Sequence, residues 1–411
     1  MAPRARGGLA VRGTTVGGVT ARRVWTLDGS PALEVEIELA CGVRGRAMAC
    51  PAFGAWRSFG ARAAVGPHCM PPSAAARAIH TVFAAALRGL DASAQGEIDD
   101  ALSELKLGDD PWVTRAARSA CSIAAAQAAA RAAGVPLYRY VRPGEPARMP
   151  MPMVEVAAAA APASPFRALA VVPFAADGMD EALAISIALR RVLAETFGTG
   201  STLIDERAIE SVLRAIEQMG FIPAEEIGIA LDVGAARIYR AGRYACADGM
   251  LDSDGWGERL LRVVDAYPLS AIEDPLADAA RLAQLVPLVD HRVRVVGDDL
   301  FASDPERIAA AVADGSAAAA TLRPEAAGSL SGLRAAFDAA RLAAWPVLAA
   351  AAVSGEDTSL VHLATAWQAS YIKLGGVGRG FADANELLRI EAMLRRAPSA
   401  QRVEAAARLV H

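Results

Sequence analysis

Lysine is nearly absent from this chain of 411 residues, whose 42 Lys plus Arg include only two lysines, Lys106 and Lys373. Arginine fills the other basic positions, so a lysine that survives this bias marks a place where an ammonium group itself is needed. Histidine is scarce as well. His68, His80, His291, His362 and His411 fall outside every motif described below, and none is read as a metal ligand. The five cysteines (Cys41, Cys50, Cys69, Cys121, Cys246) form no C-x-x-C pair, and their odd number and scattered spacing fit neither a zinc site nor a disulfide framework. A reducing cytoplasm is the compartment they suggest. No excess of positive charge is present: net charge is −4, and the few tryptophans are not arrayed for base stacking, which argues against a nucleic-acid partner. No apolar run of about 20 residues free of charge occurs, so no membrane span is expected. Residues 1–20 lack a hydrophobic signal core and read as a flexible arm.

What the chain does have is alanine, which supplies much of its 54% hydrophobic content, and two distinct patterns. From Ala21 to Gly45 the sequence alternates, as in Leu33-Glu34-Val35-Glu36-Ile37-Glu38-Leu39. A period of two argues a half-exposed strand in a meander. Residues 46–66 are rich in glycine and aromatics and read as a loop. Alanine-rich helical stretches follow at 73–90 and 110–134, the second stopped by Gly134 and Pro136. Residues 21–141 therefore read as an α+β domain. After the linker Arg142-Pro143-Gly144-Glu145-Pro146, short apolar runs alternate with helical ones over residues 149–411. Repeated strand–helix units imply a parallel sheet, and about eight of them match a closed (β/α)8 barrel of roughly 250 residues. The expected fold class is α/β: a barrel preceded by a small capping domain.

Three of the strand-like runs end in acids: Ile229-Ala230-Leu231-Asp232, Ala271-Ile272-Glu273-Asp274 and Val295-Val296-Gly297-Asp298-Asp299. One such acid alone would read as a cap for the following helix. Three on successive strands of a barrel converge on the C-terminal mouth, where active sites form. Carboxylates held that close repel one another, and a hard divalent cation with oxygen ligands, Mg²⁺ above all, removes the repulsion. Asp232, Glu273 and Asp298 are thus the candidate metal ligands.

The same residues carry a resemblance. The stretch from Leu27 to Glu36 and the run Gly134-Val135-Pro136-Leu137-Tyr138 resemble the start and end of the enolase family's capping domain. The three acid-ended strands are similar to its three metal-ligand strands. Ser354-Gly355-Glu356, Ile372-Lys373 and Asn385-Glu386-Leu387-Leu388-Arg389 resemble its late motifs. The resemblance implies Mg²⁺, a homodimer or larger ring such as an octamer, and a small carboxylate substrate. It also implies proton abstraction next to that carboxylate, followed by departure of a leaving group. Lys373 matches the family's last-strand lysine that faces substrate and metal. Close to Mg²⁺ and Arg323 its pKa is expected to fall, which would make it a base.

The departures are as informative. The family's catalytic lysine is replaced by Arg323, which stays protonated and suits anion binding. The Ser-His-Arg phosphate grip has become Ala351-Ala352-Val353, although Ser354 remains as a substrate contact. The Gln-Glu-Phe segment reads Arg167-Ala168-Leu169, without its glutamate. The Asn-Gly-Gly-x-His segment reads Val156-Ala157-Ala158-Ala159-Ala160, and the mobile Ser-Gly-Ala-Ser loop is replaced around Pro51–Trp56. Glu206, in Thr202-Leu203-Ile204-Asp205-Glu206, is a candidate retained acid, against the plainer reading that Asp205 caps the helix starting there. The resulting expectation is a Mg²⁺-dependent carbon–oxygen lyase acting on a small acid other than 2-phosphoglycerate. The alternatives are a catalytically inactive scaffold or regulatory partner, and ordinary phosphopyruvate hydratase.

Overall fold

The computed structural model describes residues 13–26, 30–50, 72–109, 111–159, 164–197, 204–247, 249–289, 292–351, 355–375 and 381–396. Ser354, the Asn-Gly-Gly-x-His replacement at Ala160, and the segment around Trp56 lie outside them. The chain opens with an antiparallel meander of β1 (Val16–Trp25), β2 (Pro31–Leu39) and β3 (Arg44–Ala49). In β2 the alternation works as its sequence requires. Leu33, Val35, Ile37 and Leu39 are buried, while Glu34, Glu36 and Glu38 turn outward to meet Arg22, Arg44 and Arg46. Two boundaries differ from the sequence reading. β1 begins at Val16, inside the stretch expected to be an arm, because Val16, Val19 and Ala21 point into the core past Gly17 and Gly18. β3 runs to Ala49 in a stretch expected to be loop, with Ala47 and Ala49 fully buried.

The helix Pro111–Ala132 covers this sheet. Its alanines explain how closely the two approach. At Gly45 a Cβ would stand 2.2 Å from the Ala124 carbonyl oxygen and 2.3 Å from the Ala128 nitrogen. Small residues on both sides let backbone meet backbone. The capping domain then docks on the barrel through a buried polar relay. Asp99 accepts from Ser122 Oγ (2.6 Å) and from the Ser331 backbone N–H (2.8 Å), and Ser122 Oγ accepts from the Leu330 N–H (2.9 Å). Free N–H groups at the start of the barrel helix Leu330–Leu342 are thereby satisfied from the other domain. Met48 N–H adds a second tie, donating to Asp357 at 2.7 Å.

The barrel is closed in the order β10-β11-β12-β13-β14-β4-β5-β6. Its strands are β4 (Met151–Ala158), β5 (Ala168–Pro173), β6 (Ile227–Asp232), β10 (Ala271–Glu273), β11 (Arg294–Gly297), β12 (Ala319–Leu322), β13 (Val347–Ala349) and β14 (Tyr371–Leu374). A small meander, β7 (Tyr239–Arg240), β8 (Arg243–Cys246) and β9 (Gly249–Leu251), leaves the barrel after β6. Strand β5 is the exception to the expected parallel sheet, since it runs antiparallel to both β4 and β6. The reason is in the connection. The short stretch between β4 and β5 leaves no length for a crossover helix, so the chain turns back directly, and two helices, Met179–Phe197 and Glu206–Gln218, then precede β6. Among the described residues, Cys41 and Cys121 are free thiols. No helix among the described residues is long and apolar enough to cross a membrane.

The Gly45 contact makes a direct prediction. Gly45→Ala should destabilise the protein by about 1–3 kcal/mol or more, because neither backbone can yield without separating sheet from helix. Urea unfolding of the variant beside wild type measures it, and an unchanged midpoint would contradict the packing described.

Candidate active site at the barrel mouth

The acid-ended strands do meet. Glu273, at the end of β10, pairs in register with Asp232 at the end of β6, and Asp298 follows directly on β11. Burial is deep: side-chain exposure is 13% for Asp232, 6% for Glu273 and 4% for Asp298. Lys373, on β14, puts its Nζ 2.7 and 2.6 Å from the two Glu273 carboxylate oxygens and 3.6 Å from Asp232 Oδ2. Arg323, just past β12, donates through Nε to Asp298 Oδ1 at 2.8 Å and through Nη2 to Oδ2 at 2.5 Å. The structure therefore gathers Asp232, Glu273, Asp298, Lys373 and Arg323 at one place.

Arg167 joins them, and nothing in the sequence reading gave it a role there. It precedes β5, and because β5 is antiparallel its beginning lies beside the ends of its neighbours. The Arg167 N–H donates to the Asp232 carbonyl at 2.7 Å, which fixes the backbone. The side chain then reaches inward. Nε and Nη2 lie 2.8 and 2.7 Å from Asp232 Oδ2. Nη2 also lies 3.4 Å from Asp298 Oδ2 and 3.6 Å from Glu273 Oε1, and Nη1 lies 3.6 Å from Asp299 Oδ2. The only available signal was the antiparallel strand itself, which the absence of a helix between the two runs at 151–156 and 169–173 would have revealed.

Asp274 and Asp299 complete the acidic set. Asp274 adopts φ of 44°, a left-handed conformation that aspartate tolerates better than most residues. Its two oxygens accept the backbone N–H groups of Asp298 (2.9 Å) and Asp299 (2.8 Å). It is a positioning residue for the turn that carries Asp298. Asp274, Asp298 and Asp299 each offer an oxygen within 4.8 Å of one another, a spacing that could hold a metal ion.

One of the expected residues, Glu206, is engaged elsewhere. Glu206 stands at the start of the helix Glu206–Gln218 in a bidentate pair with Arg259, at 2.8 and 2.9 Å. Asp205 caps that helix by accepting from the Arg207 N–H at 3.0 Å. His362 packs in the interior, stacked on Tyr138 and 3.2 Å from Glu386.

Electrostatics follow from the crowding. Burial, with Asp232 and Asp298 nearby, pushes the Glu273 carboxyl up to about 7 against the pull of Lys373. Burial and the adjoining Asp299 and Asp298 push Asp274 well above the usual carboxylate range. Asp298 goes the other way: burial opposes its charge, but the Arg323 guanidinium outweighs that and holds its pKa well below the ordinary value. Among these side chains alone, Lys373 is shifted the other way from the depression expected beside Mg²⁺. Burial does work against its charge, but Glu273, Asp232 and Asp298 prevail and raise its pKa above that of a free lysine. As folded, Lys373 is an ammonium.

Do these side chains fit a divalent ion? One oxygen, Asp232 Oδ1, is buried without a hydrogen-bond partner and is a natural ligand atom. The others are committed. Asp232 Oδ2 holds Arg167, Glu273 holds Lys373 with both oxygens, and Asp298 holds Arg323 with both. An ion seated among them would face the Arg167 guanidinium at short range. At about 4 Å and an effective dielectric constant near 20, a unit pair interacts by roughly 4 kcal/mol, so a divalent ion would be opposed by about 8 kcal/mol from that one group. In this arrangement Asp232, Glu273 and Asp298 do not fit Mg²⁺ as a ligand set.

Arg323→Ala should destabilise the protein by about 3–5 kcal/mol at neutral pH, because it leaves the buried Asp298 with only the 3.4 Å contact to Arg167. The sign with pH is fixed by the depressed Asp298 pKa. The stability this carboxylate contributes is present above the ordinary aspartate range and is lost as pH falls below that range and through the depressed folded value. The gap between wild type and variant in urea unfolding should therefore narrow as the pH is lowered.

Family models agree with the geometry over nearly the whole chain. The model for the enolase N-terminal domain matches residues 16–141, and the model for the enolase C-terminal TIM barrel domain matches residues 149–404. The lower bound of 16 coincides with the start of β1. With its meander, its covering helix and its closed barrel with one reversed strand, the chain belongs to the enolase family.

Proposed function

We propose that the barrel mouth is an enolising site of the carbon–oxygen lyase type, acting on a small carboxylate other than 2-phosphoglycerate. The observation that carries this is the contact of Lys373 with both oxygens of Glu273, 2.7 and 2.6 Å, among fixed guanidinium groups at the strand ends. An ammonium and a carboxylate in contact can serve an elimination without net proton exchange. Glu273 takes the proton α to the substrate carboxylate as that C–H bond breaks. The C–C double bond forms as the β carbon–oxygen bond breaks, and the oxygen leaves as water with a proton from Lys373. A proton passing from Glu273 to Lys373 restores the pair.

Arg323 and Arg167 supply positive charge where negative charge develops on the substrate carboxylate. Both are already oriented by carboxylates, so little reorganisation is needed when the reaction occurs. Glu206, held by Arg259, has no step in this scheme. Ser354 remains a proposed substrate contact. Mg²⁺ is the cofactor the resemblance implies, but no step is routed through it, because the candidate ligands are occupied by cationic side chains.

A second reading is favoured by that same closure. With the acids all engaged by basic residues, an enolase-family protein without turnover, serving as scaffold or regulatory partner, would keep the cluster for stability alone. Assay separates the two.

A panel of small 3-hydroxy and 2,3-dihydroxy acids, followed by the absorbance of the unsaturated or 2-oxo product, should contain at least one substrate. Lys373→Met should lower its kcat by about 10²–10⁴-fold while thermal stability shows that the variant is folded. Turnover of 2-phosphoglycerate should be at least about 10²-fold poorer than turnover of that substrate, given that charge-assisted phosphate contacts of roughly 1.5–3 kcal/mol each have been replaced by Ala351-Ala352-Val353. Robust hydration and dehydration of the phosphorylated acid would refute the altered specificity. A folded protein inert toward the whole panel would support the scaffold.

A further inference from the structure

We propose that the Arg167 guanidinium is the resident cation of the barrel mouth, seated where the carboxylates would otherwise hold a divalent ion, and that the site operates without one. That the site turns over without an ion rests on the lyase reading; the exclusion of the ion stands on geometry alone.

Three observations carry it. The first is reach: one guanidinium lies within 3.6 Å of oxygens from Asp232, Glu273, Asp298 and Asp299. Those four acids come from three strand ends, and two of them, Asp298 and Asp299, belong to the trio whose spacing suits a metal ion. A group that touches all of them occupies their common centre. The second is support. The Arg167 backbone is pinned by its N–H bond to the Asp232 carbonyl at 2.7 Å, so the side chain starts from a fixed point.

The third is room. Gly234, just after β6, has φ of +54°, and a Cβ there would stand 3.2 Å from both Cδ and Nε of Arg167. A side chain at 234 would crowd the arginine stem, so the glycine leaves room for it. Arginine also suits the position chemically. Its planar fork can donate to several carboxylates at once and it stays charged throughout the physiological range.

The test uses the full chain and Mn²⁺, whose paramagnetism reports binding directly. Wild type should show no saturable Mn²⁺ binding by electron paramagnetic resonance, and its Tm should be the same in EDTA as in millimolar Mg²⁺ or Mn²⁺. Arg167→Gln removes the resident charge and frees the carboxylates. It should bind one equivalent of Mn²⁺, with an affinity higher than wild type by roughly 10⁵-fold, the scale of removing a fixed like charge about 4 Å from a divalent ion. Its Tm should rise with added Mn²⁺, and adding Asp298→Asn to Arg167→Gln should abolish both effects.

One-equivalent Mn²⁺ binding by wild type that Asp298→Asn removes would overturn the proposal. So would a folded Arg167→Gln protein that gains no affinity. If Arg167→Gln does not fold, the wild-type titration still decides. None of these readouts depends on turnover, so a chain inert toward every acid would end the lyase reading and leave this one standing.

Discussion

Everything at the barrel mouth depends on how five carboxylates, three of them buried, can be held together. Asp232, Glu273, Asp274, Asp298 and Asp299 crowd the ends of three neighbouring strands, and such a group is stable only if positive charge is brought to it. Arg167, Arg323 and Lys373 bring it, each from a different direction: from the reversed strand, from the end of β12 and from β14. Three cations do not fully balance five acids. The remainder appears as raised pKa values at Glu273, Asp274 and Asp299, where burial and the neighbouring acids favour the protonated form. Asp298, with Arg323 bound across both its oxygens, goes the other way, and its charge is favoured.

Topology decides which residues can contribute. In a barrel of uniformly parallel strands, only residues at strand C-termini reach the mouth. Strand β5 is reversed, so its first residues reach it instead, and Arg167 enters beside Asp232 on β6. The capping domain fixes the frame from outside. Its Asp99–Ser122 relay satisfies the start of the helix Leu330–Leu342, which lies between the strand that leads to Arg323 and the next strand of the barrel.

Much of this was legible in the sequence, for physical reasons. The period-two run 33–39 requires a strand with one buried face, and β2 is that strand. Repeated apolar runs ending in acids require a barrel mouth lined with carboxylates, and Asp232, Glu273 and Asp298 line it. The β1 start was hidden by Gly17 and Gly18, which carry no side chains to show the alternation. The Arg167 role was hidden because periodicity identifies a strand without giving its direction. Lys373 was found by its rarity, but its charge state was not. That depends on the distances to Glu273 and Asp232, which no spacing along the chain reveals.

The Arg167-Ala168 pair gives the departure from the family a definite size. Where the resemblance places a glutamine followed by a glutamate, this chain has an arginine and an alanine. One position changes from neutral to positive and the next from negative to neutral. Together they add two units of positive charge next to the acid cluster, which is the charge a divalent ion would have supplied. The two substitutions are therefore read more naturally as one exchange, a fixed cation for a diffusible one, than as independent losses. On that view Lys373 remains a lysine for a related reason. A guanidinium fork already grips Asp298 and another reaches Asp232, and the Glu273 site is left for a compact ammonium that can pass a proton, which an arginine cannot do.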